Sequence, residues 1–246
     1  MIGLLFGIIA AFYASVGFGG GSSYIALLAL VNTPYTAIPI IALVCNIIVV
    51  SGNSFHYIRA GYLNLRLILP PVIASVPMAY LGGKLEIGQN TFLILLFITL
   101  AFTGIRLLIK HKDYTDDAQN YHPLPIPIGL ILGAILGFTS GLVGIGGGIF
   151  LAPILYNLKA ASPKQIAACA SIFILVNSCA GLIGQLHKSG INANILEYSY
   201  LPIIVLIGGQ IGNLFSIKFI SPPIIALLTS LLVLFVAARL GYQIWF

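Results

Sequence analysis

The first 58 residues contain no lysine, arginine, aspartate or glutamate; Arg59 is the first charge. Charged residues make up 7% of the 246-residue chain against 59% hydrophobic, with a mean hydropathy of +1.09. A soluble domain carries roughly 25% charged residues. There is too little charge here to cover a water-facing surface, so the solvent is lipid and apolar runs of about 20 residues read as membrane helices. Carboxylates are missing from the middle of every apolar run: Asp113, Asp116 and Asp117 lie between runs, and Glu86 and Glu197 lie at run ends. Cation carriers and proton relays place acids inside the membrane, so both roles are disfavoured.

Cysteine is equally scarce. Cys45, Cys169 and Cys179 are odd in number and lack ligand spacing, which argues against a disulfide framework and a zinc site and leaves small buried packing residues. No basic stretch precedes the first apolar run, so the N-terminus does not read as a secretory signal peptide. The net charge of +6 is spread over loops and helix ends, without the clustered basic patch of a nucleic-acid-binding surface. No Ser-His-Asp or metal-ligand constellation stands out. An enzyme, a bound metal and a cofactor are therefore not expected.

The sequence does contain eight apolar runs, at about 2–31, 35–57, 66–84, 91–109, 126–157, 164–187, 198–217 and 222–244. The expected fold is all-α and polytopic. Residues 1–110 form a first membrane repeat, 111–125 a polar, proline-rich linker, and 126–246 a second repeat.

The division rests on a hexapeptide that occurs twice. Val16-Gly17-Phe18-Gly19-Gly20-Gly21 returns 127 positions later as Val143-Gly144-Ile145-Gly146-Gly147-Gly148. Each copy interrupts the first apolar run of its half. Pro34 and Pro163, Asn46 and Asn177, Pro71 and Pro202, and Arg106 and Arg239 follow in the same order, with the offset drifting only to 133. Ordered landmarks of this kind read as an internal duplication.

Two topologies fit the pattern. If each broken segment crosses the membrane, Lys and Arg divide seven to four. Arg59, Arg66, Arg106, Lys110, Lys112, Lys188 and Arg239 then oppose Lys84, Lys159, Lys164 and Lys218. If each broken segment is re-entrant, every half has three transmembrane helices plus a hairpin. The division becomes eight to three, because only Lys84, Lys188 and Arg239 remain on the second side. The positive-inside rule favours the re-entrant form, with both termini outside. Length leaves both open.

A helix that stops and restarts inside a bilayer leaves N–H and C=O groups that need partners. Glycine lets the chain reverse and lets backbone approach a ligand. Ser22 follows the first motif and is expected to cap the restarting helix, whose N–H groups and dipole then suit an oxyanion. The second motif continues with Ile149 and has no such hydroxyl, so a site there is only approximately two-fold. The competing reading of the glycines is close helix packing. Asn46 and Asn177 are neutral polar groups able to orient an anion, flanked by Ser51, Asn53, Ser171, Ser178 and Gln185; inter-helix hydrogen bonding is their plainer role. The glycines lack the G-x-G-x-x-G frame of a dinucleotide site and the lysine of a phosphate-binding loop. His56 and His187 end matching runs and read as interfacial.

The paired motifs Gly17-Phe18-Gly19-Gly20-Gly21-Ser22 and Gly144-Ile145-Gly146-Gly147-Gly148 with Pro153, together with Asn46, Asn177 and the stretch His56-Tyr57-Ile58-Arg59-Ala60-Gly61, resemble the TauE/SafE family of sulfite and organosulfonate exporters. The likeness extends to length, segment count and duplication. It implies a multi-pass protein of a prokaryotic-type plasma (inner) membrane that moves small sulfur oxyanions or sulfonates.

The expectation is thus a secondary carrier for a small anion in a lipid bilayer, with no catalytic residue and no cofactor. Gly17, Gly19, Gly20, Gly21, Ser22, Asn46, Gly144, Gly146, Gly147, Gly148 and Asn177 are its candidate binding residues. An anion channel and a non-transporting membrane subunit are the alternatives. Oligomeric state stays open between a monomer and a homo-oligomer.

Overall fold

The computed structural model describes residues 2–108, 121–122, 124–189, 195, 197–214 and 222–245. Residues 111–120 and 123 of the expected linker, with Lys110 and Lys218, lie outside these. Ten α-helices are described: α1 (Ile2–Val16), α2 (Gly21–Leu30), α3 (Ile38–Arg59), α4 (Leu65–Lys84), α5 (Gln89–Leu108), α6 (Ile126–Val143), α7 (Gly148–Asn157), α8 (Pro163–Ser189), α9 (Leu201–Leu214) and α10 (Pro222–Trp245). Among the described residues, α3, α4, α6 and Lys164–Lys188 of α8 are long and apolar enough to cross a membrane. Both glycine motifs fall where helices stop: α1 and α2 flank the first, α6 and α7 the second.

Side-chain bonds at the two ends of the bundle settle the path of the broken segments. At one end Lys164 Nζ donates to Tyr62 OH at 3.2 Å, which places the start of α8 beside the turn after α3. At that same end the N–H of His122, just before α6, donates to the carbonyl of Lys159, just after α7, at 3.0 Å. At the other end Lys188 Nζ donates to the carbonyl of Leu85 at 3.5 Å, and Thr33 Oγ1 to Tyr198 OH at 3.0 Å. Arg239 Nη1 donates to the carbonyl of Leu30 there. Gly3, at the start of α1, lies against Tyr200 and Ile204, two to six residues beyond Tyr198.

The α1–α2 segment therefore enters and leaves at one end, and α6–α7 enters and leaves at the opposite end. Both are re-entrant hairpins, and the four-crossing alternative fails. It would have put Lys164 opposite Arg59 and Tyr62.

Small residues decide how these hairpins pack. Gly129, Gly133, Gly137 and Gly141 recur every four residues along α6, which is one helical face. A Cβ at each would strike α4 at Pro70, Pro71, Ser75 and Ala79 in turn. Glycine lets the two backbones close, and van der Waals contact then holds helices that lipid cannot drive together. On the other hairpin, Gly208 and Gly212 of α9 press on Gly7 and Ala11 of α1 in the same way. So α6 packs on α4 and α1 packs on α9: each hairpin's first arm is held by a helix from the opposite part of the chain. Apolar side chains that face away from this packing form stripes, as with Ile94, Ile98, Phe102 and Ile105 along α5, all more than a third exposed. That is the surface a lipid-embedded helix presents.

Two hydrophobic cores result. The first is built from α1, α2, α3, α5, α9, α10 and the end of α6 (Leu142 and Val143) around Phe6, Tyr24, Val49, Leu96 and Val205. The second is built from α4, α7 and α8 around Leu67, Leu151, Leu155, Ile166 and Phe173. The antiparallel pair α3–α8 joins them. Cys45 and Cys169 are buried as expected of packing residues, whereas Cys179 is exposed on α8, which corrects its reading as a buried one.

Single cysteines placed at Pro34 and Lys164, in a background with Cys179 replaced by serine, should be labelled by an impermeant maleimide from opposite faces of the membrane. Arg59→Cys should label from the same face as Lys164→Cys. Labelling of Pro34→Cys and Lys164→Cys from one face would restore the crossing topology.

Candidate functional site

The two glycine turns meet at Asn46. Along α3, the first turn lies toward the Arg59 end and the second toward the Ile38 end. A Cβ on Gly17 would touch Tyr57, and one on Gly144 would lie 2.7 Å from Pro39 Cα. Between them, Asn46 Nδ2 donates to the carbonyl of Ile145 at 3.2 Å. A Cβ on Gly21 would lie 2.5 Å from both Asn46 Nδ2 and the Ile145 carbonyl oxygen, and one on Gly19 would lie 2.6 Å from Asn46 Oδ1. A Cβ on Gly146 would meet Ile174 at 2.8 Å and Asn46 Nδ2 at 3.1 Å. One buried asparagine thus touches both breaks.

Glycine is required here for conformation as well as space. Gly20 and Gly147 immediately precede α2 and α7 with φ of 78° and 75°, in the left-handed region that costs other residues about 1–2 kcal/mol. Each is the cap of its helix, and neither helix start has a capping side-chain bond. Ser22 is therefore not the N-cap expected from sequence, because α2 already begins at Gly21, with Gly20 as its cap. Its hydroxyl is buried without a partner at the edge of the break.

The peptide groups around the breaks are satisfied unequally. Several carbonyls are held by side chains from α3 and α8. Ser171 Oγ donates to Gly17, Asn53 Nδ2 to Phe18 at 3.3 Å, Asn46 to Ile145, and Gln185 Nε2 to Gly141 at 2.9 Å and to Leu142 at 3.3 Å. By contrast, the N–H groups of residues 19–23 and 145–149 make no backbone hydrogen bond among the described residues. The starts of α2 and α7 thus carry N–H groups without backbone partners, positive by their dipoles, and Gly21 and Ser22 of the one and Ile149 of the other border a common cavity.

A cavity of about 10 Å³ lies there, room for roughly one water molecule. Tyr13, Phe18, Gly19, Gly20, Gly21 and Ser22 line one wall, and Ile145, Ile149 and Ile174 the other. Tyr13 OH and Ser23 Oγ are 3.1 Å apart beside it. The wall is asymmetric, with Ser22 on one side and Ile149 on the other. The residue between the first glycines of each motif crosses over: Phe18 packs against the core of α4, α7 and α8, and Ile145 belongs to the core of α1, α2 and α3.

Of the residues expected from sequence, Gly19, Gly20, Gly21 and Ser22 line the cavity, Asn46 adjoins it, and Gly146 adjoins Asn46. Gly17 and Gly144 stand at the outer ends of the turns, against Tyr57 and Pro39, while Gly147 and Gly148 pack on Phe173 and Ile174. Asn177 is fully buried with neither amide atom partnered, and it does not line the cavity. The α8 residues beside Gly146 are Ile174 and Ser178 instead. Tyr13, Ile145, Ile149 and Ile174 escape a sequence reading because, in a chain this apolar, nothing distinguishes a cavity wall from a packed one. His187 pairs with Tyr80 at 3.5 Å near the surface, apart from the breaks. Among the described residues no cluster of His, Cys, Asp and Glu is able to hold a metal ion.

Gly21→Ala should destabilise the protein by about 1–3 kcal/mol, the cost of overpacking, because the added methyl meets Asn46 and Ile145. Gly88→Ala, with nothing within 4 Å of its Cβ, should stay within about 0.5 kcal/mol of the parent. Unfolding in detergent reads both; equal stabilities would mean that the two breaks do not press together.

Comparison with known proteins bears on the same architecture. A family model described as sulfite exporter TauE/SafE matches residues 2–240. A probable membrane transporter protein of Sinorhizobium fredii is 30% identical over 236 residues, covering 95% of this chain and 94% of that one. The probable membrane transporter protein YunE of Bacillus subtilis is 22% identical over 273 residues, covering 99% and 96%. One from Haemophilus influenzae is 25% identical over 221 residues, covering 83% and 80%. No solved structure matches.

Proposed function

The chain belongs to the sulfite exporter TauE/SafE family, a multi-pass membrane transporter type, and on that footing we propose that it is a secondary carrier exporting a small sulfur-containing anion, sulfite or an organosulfonate, across the plasma membrane. The observation that carries this reading is the unequal treatment of the peptide groups at the breaks. Two helix starts whose first N–H groups make no backbone bond border one cavity, and the carbonyls of Gly17, Phe18 and Ile145 are already bonded by side chains. Ser22 Oγ is a further buried donor without a partner, and Asn46 Nδ2 keeps a second hydrogen beyond the one given to Ile145. Such dipoles hold an anion without a full counter-charge, which lets a carrier release it. Apolar Phe18, Ile145, Ile149 and Ile174 complete the wall.

Purified protein should be stabilised against heat by at least one of sulfite, thiosulfate, sulfate, sulfoacetate and taurine, and by no inorganic cation. In vesicles its flux of that anion should saturate and show counterflow. Flux without saturation would make it an anion channel. No stabilisation and no flux would leave a non-transporting membrane subunit.

A cavity with room for one water admits sulfite only if its walls part, so the carrier works by alternating access. The two cores suggest which bodies move. One is α1, α2, α3, α5, α9 and α10; the other is α4, α7, α8 and α6, which packs on α4 while its Leu142 and Val143 reach into the first core; the cavity lies on their seam and α3–α8 is the hinge. Neither body is a sequence repeat. Two matched pairs separate these descriptions, since Tyr80 and His187 lie within one body and Phe102 and Phe150 lie across the seam, both with ring centroids 5.8 Å apart. Bridging Tyr80→Cys to His187→Cys should leave transport intact, whereas bridging Phe102→Cys to Phe150→Cys should arrest it until reduction. Arrest by both would make the sequence repeats the moving units.

A further inference from the structure

We propose that Asn53 and Ser171 are positioning residues that set the sign of charge the break accepts. They do so by holding the peptide planes of the first turn rather than by touching the ion. The inference rests on the reading of the break as an anion site. Every peptide here is trans, so a carbonyl and the N–H of the next residue point in opposite directions. Asn53 Nδ2 draws the Phe18 carbonyl toward α3, which turns the Gly19 N–H away from α3. Ser171 Oγ draws the Gly17 carbonyl toward α8. Phe18 and Gly19 both line the cavity; Asn53 and Ser171 do not.

The need for such a hold comes from the glycines. Gly17, at φ 82°, and Gly19 flank Phe18, and glycine presents no Cβ to stop a peptide plane from turning over. A turned plane would put a carbonyl oxygen where an N–H had been, and a ring of carbonyls is a cation site. The side chains that prevent this are almost fully buried, at 2% exposed for Asn53 and 0% for Ser171, so they keep their bonds free of competition from water. The second turn has the same device in other residues. Asn46 holds Ile145, next to Gly146 at φ 86°, and Gln185 holds the last carbonyls of α6. Three donors therefore hold planes of the two turns and a fourth holds the end of α6 before the second, and none of them carries charge.

Vesicles containing the parent protein, Asn53→Leu, Asn53→Gln and Ser171→Ala would be assayed for radiolabelled sulfite uptake and for rubidium leak, with melting temperatures measured in parallel. Asn53→Leu keeps the bulk and removes the donor. It and Ser171→Ala should each weaken sulfite affinity by about tenfold and raise the rubidium leak relative to sulfite flux. Asn53→Gln, which restores a donor, should recover part of the selectivity. A purely structural role would lower the melting temperature and both fluxes together, with no change in their ratio, and that result overturns the proposal. So does an unchanged sulfite affinity in both Asn53→Leu and Ser171→Ala. A parent that takes up no sulfur oxyanion fails the carrier reading itself, a separate outcome visible before any variant is compared.

Discussion

A peptide group that loses its helical partner inside hydrocarbon costs several kcal/mol unless another group or a cavity takes that partner's place. This chain incurs that cost twice, at residues 17–20 and 144–147, and much of the remaining structure answers to it. Asn46 and Asn53 on α3 and Ser171 and Gln185 on α8 supply donors to the stranded carbonyls. Through-running helices are suited to this task, since their own backbones are satisfied and their side chains can be spent on a neighbour. Among the described residues, the N–H groups at the starts of α2 and α7 make no backbone hydrogen bond.

Holding two re-entrant hairpins against each other demands close backbone contact elsewhere. The glycine row of α6 against Pro71, Ser75 and Ala79 of α4 and the Gly208–Gly7 and Gly212–Ala11 contacts between α9 and α1 provide it. Because each first arm is held by a helix from the other part of the chain, the repeats interlock instead of sitting side by side. Phe18 and Ile145 deepen the exchange, each packing into the core opposite its own turn. The moving bodies of the proposed carrier follow from this interlocking. On that proposal, the close contacts that stabilise the hairpins would oppose a shift of residues 1–110 as a unit against 126–246.

The two breaks are alike in backbone and unlike in side chain. Both α2 and α7 start after a left-handed glycine, yet Ser22 meets the cavity on one side and Ile149 on the other. Because the turns overlap along α3, a single asparagine serves both of them. The position that faces Gly146 from α8 is Ile174, so the second asparagine, Asn177, stands outside the cavity although it is equally buried. The result is one central site with a polar wall and an apolar wall.

The sequence by itself determined the solvent, the helices and the places where helices stop. Those follow from composition and local propensity: 7% charge leaves no choice but lipid, and three consecutive glycines cannot continue a helix cheaply in either copy of the motif. Membership of the resembled family was also legible, since it rested on the same glycines. Only the tertiary structure decided that the broken segments turn back, because arms of 15 and 10 residues satisfy the bilayer equally well end to end or side by side. It alone decided that Gly20, not Ser22, caps α2, that Asn46 and Asn177 part company, and that Tyr13, Ile149 and Ile174 line the cavity. Each of these is set by which surface lies opposite, and an apolar residue in a lipid-soluble chain reads the same whether it faces lipid, a neighbouring helix or the cavity.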